Sequence, residues 1–289
     1  MSGIAGILKN DDKIALEELK AMTDILEHRG PNGESHWINT NLSVGIGWRH
    51  FSPISISGQS VQSLTFGEGR FTIVFDGEIY NYSILKEKLI QKGIQFFSDM
   101  DSELIVNLFK LKREKCLEDI DGAFSFALWD EVKQRLFCAR DRFGEKPFFY
   151  HYVPGKLFVF ASEIKAIHHY GISKSPNEPL IYNFFLFNHR TGNVNDKSET
   201  FFANIKKLPN SHYLIIDKNL QISLKKYWDI NWRDQFLEYD EDEATETLRE
   251  LINESIKKRL LTDMSIGASL SGGLDSSGIV CWIDKYLNT

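Results

Sequence analysis

The chain has 289 residues, with 34 lysines and arginines against 40 aspartates and glutamates, so its formal net charge is −6 with histidine neutral. This mild acidity provides no basic face for nucleic acid, and the 42% hydrophobic and 13% aromatic content excludes a wholly disordered chain. No apolar run approaches the ~18–20 residues that span a bilayer. Three cysteines, Cys116, Cys138 and Cys281, lack metal-ligand spacing and favour a reducing, cytoplasmic compartment.

The N-terminal segment predicts a buried strand rather than a targeting signal. Met1 and Ser2 are followed by a short apolar run that ends at Leu8, and a polar turn begins at Lys9. The run is too short for the core of a signal peptide, and no positive residue precedes it. We therefore expect the chain to begin inside its fold, where its first residues can take part in chemistry.

Residues up to about 195 predict a layered α+β domain that is rich in strands. Apolar spacing predicts helices over residues 16–26, 83–92 and 102–111. Aromatic and β-branched runs predict strands over residues 71–75, 123–129, 136–139, 148–152 and 157–161, the last four as two hairpins. Asp76-Gly77-Glu78 follows the first of these strands and reads as a turn.

The pattern changes in the remaining third of the chain, where length alone already favours a second domain or part of one. A connecting hairpin and linker are expected from residue 196 to 243, with paired strands over 212–216 and 223–228. An amphipathic helix follows over 244–260, then a strand over 265–270 and a helix over 278–286.

A glycine-containing string joins that last strand to the last helix. After Leu270 it reads Ser271-Gly272-Gly273-Leu274-Asp275-Ser276-Ser277. Glycines let a backbone fold tightly around an anion, and hydroxyls with free N–H groups at a helix start can hold phosphate oxygens. An ordinary turn is the plainer alternative, but the full string resembles the pyrophosphate loop of ATP pyrophosphatases. It lacks the Gly-Lys-Ser ending of a Walker loop, which disfavours an ATPase or GTPase.

Several further strings, each typical of a surface turn or hairpin when taken alone, occur in a characteristic order. They are His28-Arg29-Gly30-Pro31-Asn32, Asp76 to Asn81, Ala123 to Asp130, Arg140 to Pro147, Phe160 to Ala166, Leu208-Pro209 with His212-Tyr213-Leu214, and Tyr227-Trp228-Asp229. Together with the pyrophosphate loop they resemble the glutamine-hydrolysing asparagine synthetase family over essentially the whole chain.

The resemblance implies a four-layer α/β/β/α sandwich of the N-terminal-nucleophile type, a class II glutamine amidotransferase domain at residues 2–195. The truncated start of an α/β ATP-pyrophosphatase domain follows at residues 244–289. It implies hydrolysis of glutamine to glutamate and ammonia, and ATP- and Mg²⁺-dependent amide synthesis on aspartate with release of AMP. A thiol at residue 2, with its own free α-amine as base, attacks the glutamine amide, and an oxyanion hole holds the intermediate. The implied partners are these small molecules, with a homodimer as an option.

The resemblance also assigns site residues. The catalytic positions fall on Ser2, Asp76 and Gly77. The glutamine contacts fall on Arg49, His50, Ser52, Pro53, Glu78 and Asp101. The ATP contacts fall on Leu270, Ser271, Gly272, Gly273, Asp275, Ser276 and Ser277.

Three of these positions depart from the family pattern. Ser2 replaces the cysteine nucleophile, and a hydroxyl is a poorer nucleophile than a thiol without strong activation; it is small enough that Met1 should still be removed. Asp76 replaces the asparagine of the oxyanion hole, where an ionised carboxylate is unsuitable and a protonated one could still donate. His50 aligns with the arginine that holds the glutamine carboxylate, with Arg49 beside it as a substitute. We therefore expect a naturally weakened or inactive glutaminase. A working or an engineered glutaminase is the alternative, and a working one is conceivable because other hydrolases of this type use serine as nucleophile.

The length also departs from the family, because only about twelve residues follow the loop and a parallel sheet needs more than one strand and one helix. We therefore expect either a fragment or a partner chain that completes the second domain. Two alternatives for function remain open. One is a β-lactam synthetase-like or peptide-cyclising amide ligase with a degenerate glutaminase domain. The other is a non-catalytic truncated protein that binds glutamine or a partner.

Overall fold

The computed structural model describes residues 2–41, 43–51, 65–189, 197–230, 240–260 and 266–287. Contacts within the chain group into two units, residues 1–229 and residues 230–289. The first unit contains both β-sheets, and the described part of the second contains two helices. No helix within these ranges combines the length and the apolar character that crossing a membrane would require.

The first sheet is built around the N-terminal strand. β1 (Gly3–Lys9) is buried along its whole length and pairs with a strand on each side, as the apolar N-terminal run predicted. A strand that is covered on both faces is expected to be apolar throughout, without alternation. The strand order is β10 (Lys206–Lys207), β8 (Phe149–Val153), β9 (Leu157–Ala161), β1, β3 (Val44–His50) and β2 (Gly33–Ile38).

The second sheet is antiparallel, as is the first. Its longest pairing joins β5 and β6, which run in register from Phe71 opposite Asp130 to Ile79 opposite Gly122. The two predicted hairpins are confirmed, as β6 with β7 in this sheet and β8 with β9 in the first. The strand order is β12 (Ile222–Lys226), β11 (His212–Ile216), β7 (Arg135–Arg140), β6 (Gly122–Asp130), β5 (Phe71–Ile79) and β4 (Thr65–Phe66).

Alternation along the strands sorts their side chains into three cores. Val74 of β5 packs between the sheets with Ile46 and Trp129, whereas Phe71, Ile73 and Phe75 face outward against helices. Helices α2 (Tyr82–Gln91) and α3 (Asp101–Lys112) cover the second sheet, and α1 (Leu16–Asp24) and α4 (Ile164–His169) cover the first; α5 (Glu178–Phe187) follows. This arrangement confirms the predicted α/β/β/α sandwich.

The predicted turn at Asp76-Gly77-Glu78 is wrong. β5 continues through all three residues to Ile79, paired with β6 along its length. Gly77 adopts φ +154°, which lets the strand continue in close contact with its neighbour, and so this glycine does not end the strand. The segment from 196 to 243 that we expected to connect two domains contributes β10 to the first sheet and β11 and β12 to the second.

The second unit contains α6 (Glu241–Leu260) and α7 (Leu274–Leu287). The strand predicted over residues 265–270 is not formed at residues 266–270, and Ser265 lies outside the described residues. A strand needs a neighbour to accept its hydrogen bonds, and the described part of this unit contains none. Neither helix buries a residue, and Leu248 and Leu251 of the apolar stripe of α6 are exposed.

Candidate active site

Ser2 lies directly before β1, at the end of the first sheet. Its neighbour Gly3 pairs with Arg49 of β3, which brings Ser2 beside the end of that strand. The Phe51 N–H donates to the Ser2 hydroxyl at 3.4 Å. Ser2 is only 9% exposed, so the residue at the expected nucleophile position is enclosed by the fold. Met1 lies outside the described residues.

Asp76 lies next to Ser2 and is fully buried. Period-two alternation places it on the same face of β5 as Val74, toward the first sheet. One carboxylate oxygen, Oδ1, accepts from the Ser2 N–H at 2.9 Å. The other, Oδ2, accepts from the Arg29 guanidinium at 2.7 Å. Both carboxylate oxygens therefore accept hydrogen bonds here, one of them from a cation, and neither acts as a donor toward an oxyanion.

Arg29 is a member of this site to which the sequence analysis gave no role. Its Nε donates to the Ser2 carbonyl at 2.8 Å, and its Nη1 pairs with Glu163 at 3.3 Å. Gly30 makes this possible, since a Cβ at Gly30 would lie 2.4 Å from the Arg49 backbone. Arg29 and Glu163 both lie in strings that carried the family resemblance. Apart from that, the only sequence feature that pointed to a role for them was their charge, within strings of residues typical of turns.

Gly77 follows Asp76 at the closest approach between β5 and β6. A Cβ at Gly77 would lie 2.2 Å from the Ala123 carbonyl oxygen and 2.7 Å from Phe124 Cα. Such contacts are not tolerated, so only glycine fits while the two strands keep their register. This geometry fixes the backbone at the position where the family resemblance places the oxyanion hole.

Glu78 and Asp101 come together from different elements, the end of β5 and the first turn of α3. Burial and the nearby Glu78 charge raise the pKa of Asp101 to about 7, against a lowering contribution from the Ile79 N–H. Partial burial also raises the pKa of Glu78, while Lys146 opposes it. Two carboxylates at this position are suited to holding an ammonium group, the role that the resemblance assigns them.

Arg49 and His50 are adjacent in β3 and so face opposite sides of the sheet. The Arg49 guanidinium hydrogen-bonds to the Thr23 carbonyl at 3.3 Å and pairs with Asp24 and with Glu34, at 2.8 Å to the latter. Its charge is therefore engaged by α1 and β2. Arg49 and His50 stay predictions as glutamine contacts, but the geometry gives Arg49 no support in that role.

His50 lies on the other face, with its ring 5.5 Å from that of Trp48. It is buried, its Nδ1 has no hydrogen-bond partner in the described part of the chain, and burial lowers the pKa of the imidazole. A neutral ring is a weaker partner for a carboxylate than an arginine. Ser52 and Pro53, the other expected glutamine contacts, lie outside the described residues.

The predicted pyrophosphate loop belongs to the second unit. α7 begins at Leu274, inside the string, four residues earlier than predicted. The Ser271 and Ser276 hydroxyls bond to each other at 2.8 Å, and the Ser271 N–H donates to Ser276 Oγ at 3.2 Å. Leu274 is 90% exposed. Across the described ranges no three His, Cys, Asp or Glu side chains gather into a metal site.

Two family models match the chain in succession. A glutamine amidotransferase domain matches residues 1–228, and an asparagine synthase model matches residues 247–289. The chain is 34% identical to Amidase chry2 of Gibberella zeae, over 97% of this chain and 41% of the relative. It is also 34% identical to asparagine synthetase [glutamine-hydrolyzing] 2 of Bacillus subtilis, over 96% of this chain and 38% of the relative. The chain thus spans about two fifths of the length of these curated relatives.

A solved structure supports the fold independently. Glutamine phosphoribosylpyrophosphate amidotransferase from Bacillus subtilis superposes with a TM-score of 0.58 at 18% identity, over 79% of this chain and 50% of that one. The sandwich is thus the fold of known glutamine amidotransferases. The chain therefore belongs to the glutamine amidotransferase domain family, and it continues into the first part of an asparagine synthase domain, as asparagine synthetases do.

Proposed function

We propose that the polypeptide carrying this chain is an ATP-dependent, AMP-forming amide ligase that makes asparagine from aspartate, with a weakened glutaminase domain. The observation that carries the proposal is the succession of the two family matches, residues 1–228 and 247–289, in one chain. Relatives named asparagine synthetase [glutamine-hydrolyzing] support it, at 29–34% identity over nearly the whole of this chain.

The weakness of the glutaminase follows from the chemistry at Ser2. A serine hydroxyl needs a base to become a nucleophile, and the tetrahedral intermediate needs hydrogen-bond donors for its oxyanion. Asp76 accepts hydrogen bonds from Ser2 and Arg29, so it offers the oxyanion negative charge in place of a donor. Glu78 and Asp101 keep the carboxylates for a glutamine ammonium group, whereas Arg49 is paired with other acids.

The ligase half rests on the pyrophosphate loop. ATP would activate the acceptor carboxylate by forming an acyl-adenylate, and the loop hydroxyls and N–H groups of residues 270–277 would hold its phosphates. Mg²⁺ commonly takes most of its ligands from phosphates and water, so it would arrive with the nucleotide. A cytoplasmic location is part of the proposal, because Cys116 and Cys138 are buried free thiols.

The test is a product analysis of the native polypeptide with ATP, Mg²⁺ and aspartate. With ammonium chloride as nitrogen source we expect AMP, pyrophosphate and asparagine in equal amounts, and with glutamine at least ten-fold less. Asp275→Asn in the loop should abolish AMP formation with either source. Absence of AMP with ammonium and aspartate would contradict the proposed ligase.

A second candidate is an amide ligase that acts on another acid. Two relatives are named amidases, Amidase chry2 of Gibberella zeae and Amidase chyE of Penicillium rubens, the latter 32% identical over 91% of this chain. AMP formation that requires a carboxylic acid other than aspartate would favour this candidate. No AMP formation with any acid would favour the non-catalytic binding protein.

A further inference from the structure

We propose that Asp76, clamped by Arg29, holds the free α-amine of the mature N-terminal Ser2 as an ammonium ion and so withholds the base that Ser2 would need. Asp76 is a positioning residue in this account. The inference deepens the proposed function and rests on it in one respect, since it explains why glutamine hydrolysis is weak in this family member.

The contact between the Ser2 nitrogen and Asp76 is short and excluded from water. The nitrogen lies 2.9 Å from Asp76 Oδ1, with Asp76 fully buried and Ser2 nearly so. A charge-assisted hydrogen bond in such a place is stronger than one at the surface. After removal of Met1 this nitrogen is an amine, and the nearby carboxylate favours its protonated form.

Arg29 holds the carboxylate in position. It donates to Asp76 Oδ2 at 2.7 Å and, through Nε, to the Ser2 carbonyl at 2.8 Å. Arg29 therefore contacts the carbonyl oxygen of Ser2, while Asp76 contacts its nitrogen. The Arg29 side chain is only 8% exposed and is held from its other side by Glu163, so the clamp is fixed from three directions.

Other charged and titratable groups surround the site, but none of their described contacts is with the Ser2 nitrogen. Glu163 pairs with Arg29, and it also contacts His28 at 2.8 Å and Lys165 at 3.1 Å. From β3, Arg49 is paired with Asp24 and Glu34, and the pKa of His50 is lowered by burial. Among the described residues, the charged group in contact with the Ser2 nitrogen is therefore Asp76.

The consequence is that the Ser2 amine carries a positive charge, which prevents it from acting as a base. A terminal amine acts as a base toward its own hydroxyl only when it is neutral, and free α-amines titrate at about 7.7–8.0. An amine held by a buried carboxylate remains protonated above that range. An asparagine at position 76 carries no charge and would leave the amine free to titrate normally.

The experiment measures the protonation of the Ser2 amine directly in the full chain. Intact mass first establishes that Met1 has been removed. Trace acetylation with acetic anhydride is then followed by peptide mass spectrometry from pH 6 to 10. The midpoint of reactivity reports protonation, because restricted access of the reagent to the amine lowers the rate at every pH without moving the midpoint. The matched control is Asp130→Asn. Asp130 lies in β6, the strand beside β5, and its buried carboxylate is paired with Arg70 at 3.1 Å.

We expect the midpoint in the unaltered chain to lie at least one pH unit above that of Asp76→Asn, a ten-fold change in proton affinity, with Asp130→Asn unchanged from the unaltered chain. Should Asp76→Asn fail to fold, the unaltered chain in urea is the reference, with its amine at the ordinary value. Equal midpoints, or a retained Met1, would overturn the inference. Equal midpoints without ammonia release would still leave the proposed weak glutaminase standing. A raised midpoint with rapid glutamine hydrolysis would contradict the weak glutaminase and the loss of the base, and would leave only the contact between Asp76 and the ammonium ion standing.

Discussion

The backbone of Gly77 and the carbonyl of Ala123 lie in such close contact that no side chain fits between them. A Cβ at Gly77 would lie 2.2 Å from the Ala123 oxygen, and the residue adopts φ +154°. This contact joins β5 and β6 of the second sheet immediately beside Asp76. The position of Asp76 against Ser2 therefore depends on a glycine at residue 77.

Gly77→Ala should destabilise the first unit by about 2–4 kcal/mol, because the new methyl group forces β5 and β6 apart. Chemical denaturation of the purified chain measures this. Gly69→Ala is the matched control, since Gly69 also has a positive φ, +89°, but no atom lies within 4 Å of the position that a methyl group would take there; it should cost about 1 kcal/mol or less. Equal losses in the two variants would show that the contact does not matter.

Asp101 predicts a pH dependence of stability. Its pKa in the folded protein is about 7, above the value of about 3.9 for an unfolded chain. The folded state thus binds more protons between these values, and stability falls as pH rises through that window. Asp101→Asn removes this effect, so it should stabilise the protein by about 1–2 kcal/mol at pH 8 and change little at pH 4.

The measurement is urea denaturation of Asp101→Asn at both pH values. Asp99→Asn serves as the control, because Asp99 is a nearby carboxylate that is almost fully exposed and paired with Lys86. Its effect should be small and similar at pH 4 and pH 8. A stabilisation by Asp101→Asn that does not grow with pH would mean that Asp101 has an ordinary pKa in the folded protein.

The second unit should be the least stable part of this chain. Neither α6 nor α7 buries a residue, and most helical stability in proteins comes from packing of an apolar face. We expect amides of both helices to exchange at least 10³-fold faster than those of Phe71 to Phe75, since local opening without buried contacts costs little. Hydrogen exchange by mass spectrometry decides this, and equal protection in a monomer would contradict it.

Proteolysis provides a companion measurement with the same expectation. Cleavage between Asp229 and Asp242, largely outside the described residues, should leave a resistant piece that begins at Ser2. Loss of the first unit at the same rate as the second would be inconsistent with the separate packing of the two units.

Much of the sandwich could be predicted from the sequence, because its strands and helices carry strong local patterns. The continuous apolar run of β1 and the hairpins β6–β7 and β8–β9 are examples. The turn at Asp76-Gly77-Glu78 was mispredicted because glycine is common both in turns and at close strand contacts. Only the neighbouring strand, distant in sequence, distinguishes the two.

The candidate site was predicted in part. Ser2, Asp76 and Gly77 meet at the end of the sheets, and Glu78 meets Asp101. The role of Arg29 was missed, because a salt bridge over 47 residues of sequence to Asp76 has no local signature. The engagement of Arg49 by Asp24 and Glu34 was missed for the same reason, since only the paired strands and α1 bring these charges together.

The central claim is that this domain has kept the glutaminase fold and lost an efficient glutaminase site. Reversal of the three departures supplies the comparison, with Ser2→Cys restoring the thiol, Asp76→Asn restoring a donor and His50→Arg restoring a cation. Adding Asp76→Asn to Ser2→Cys should raise turnover by about 10²–10³, the usual effect of one oxyanion-hole donor. Full turnover from Ser2→Cys alone would mean that Asp76 and His50 are tolerated.

The most direct measurement is ammonia release from glutamine by the unaltered chain and by the triple variant, at pH 7–8 and equal protein concentration. We predict release at the background rate from the unaltered chain and multiple turnovers from the triple variant. Robust turnover by the unaltered chain, with Ser2 shown by mass to be its first residue, would contradict the account.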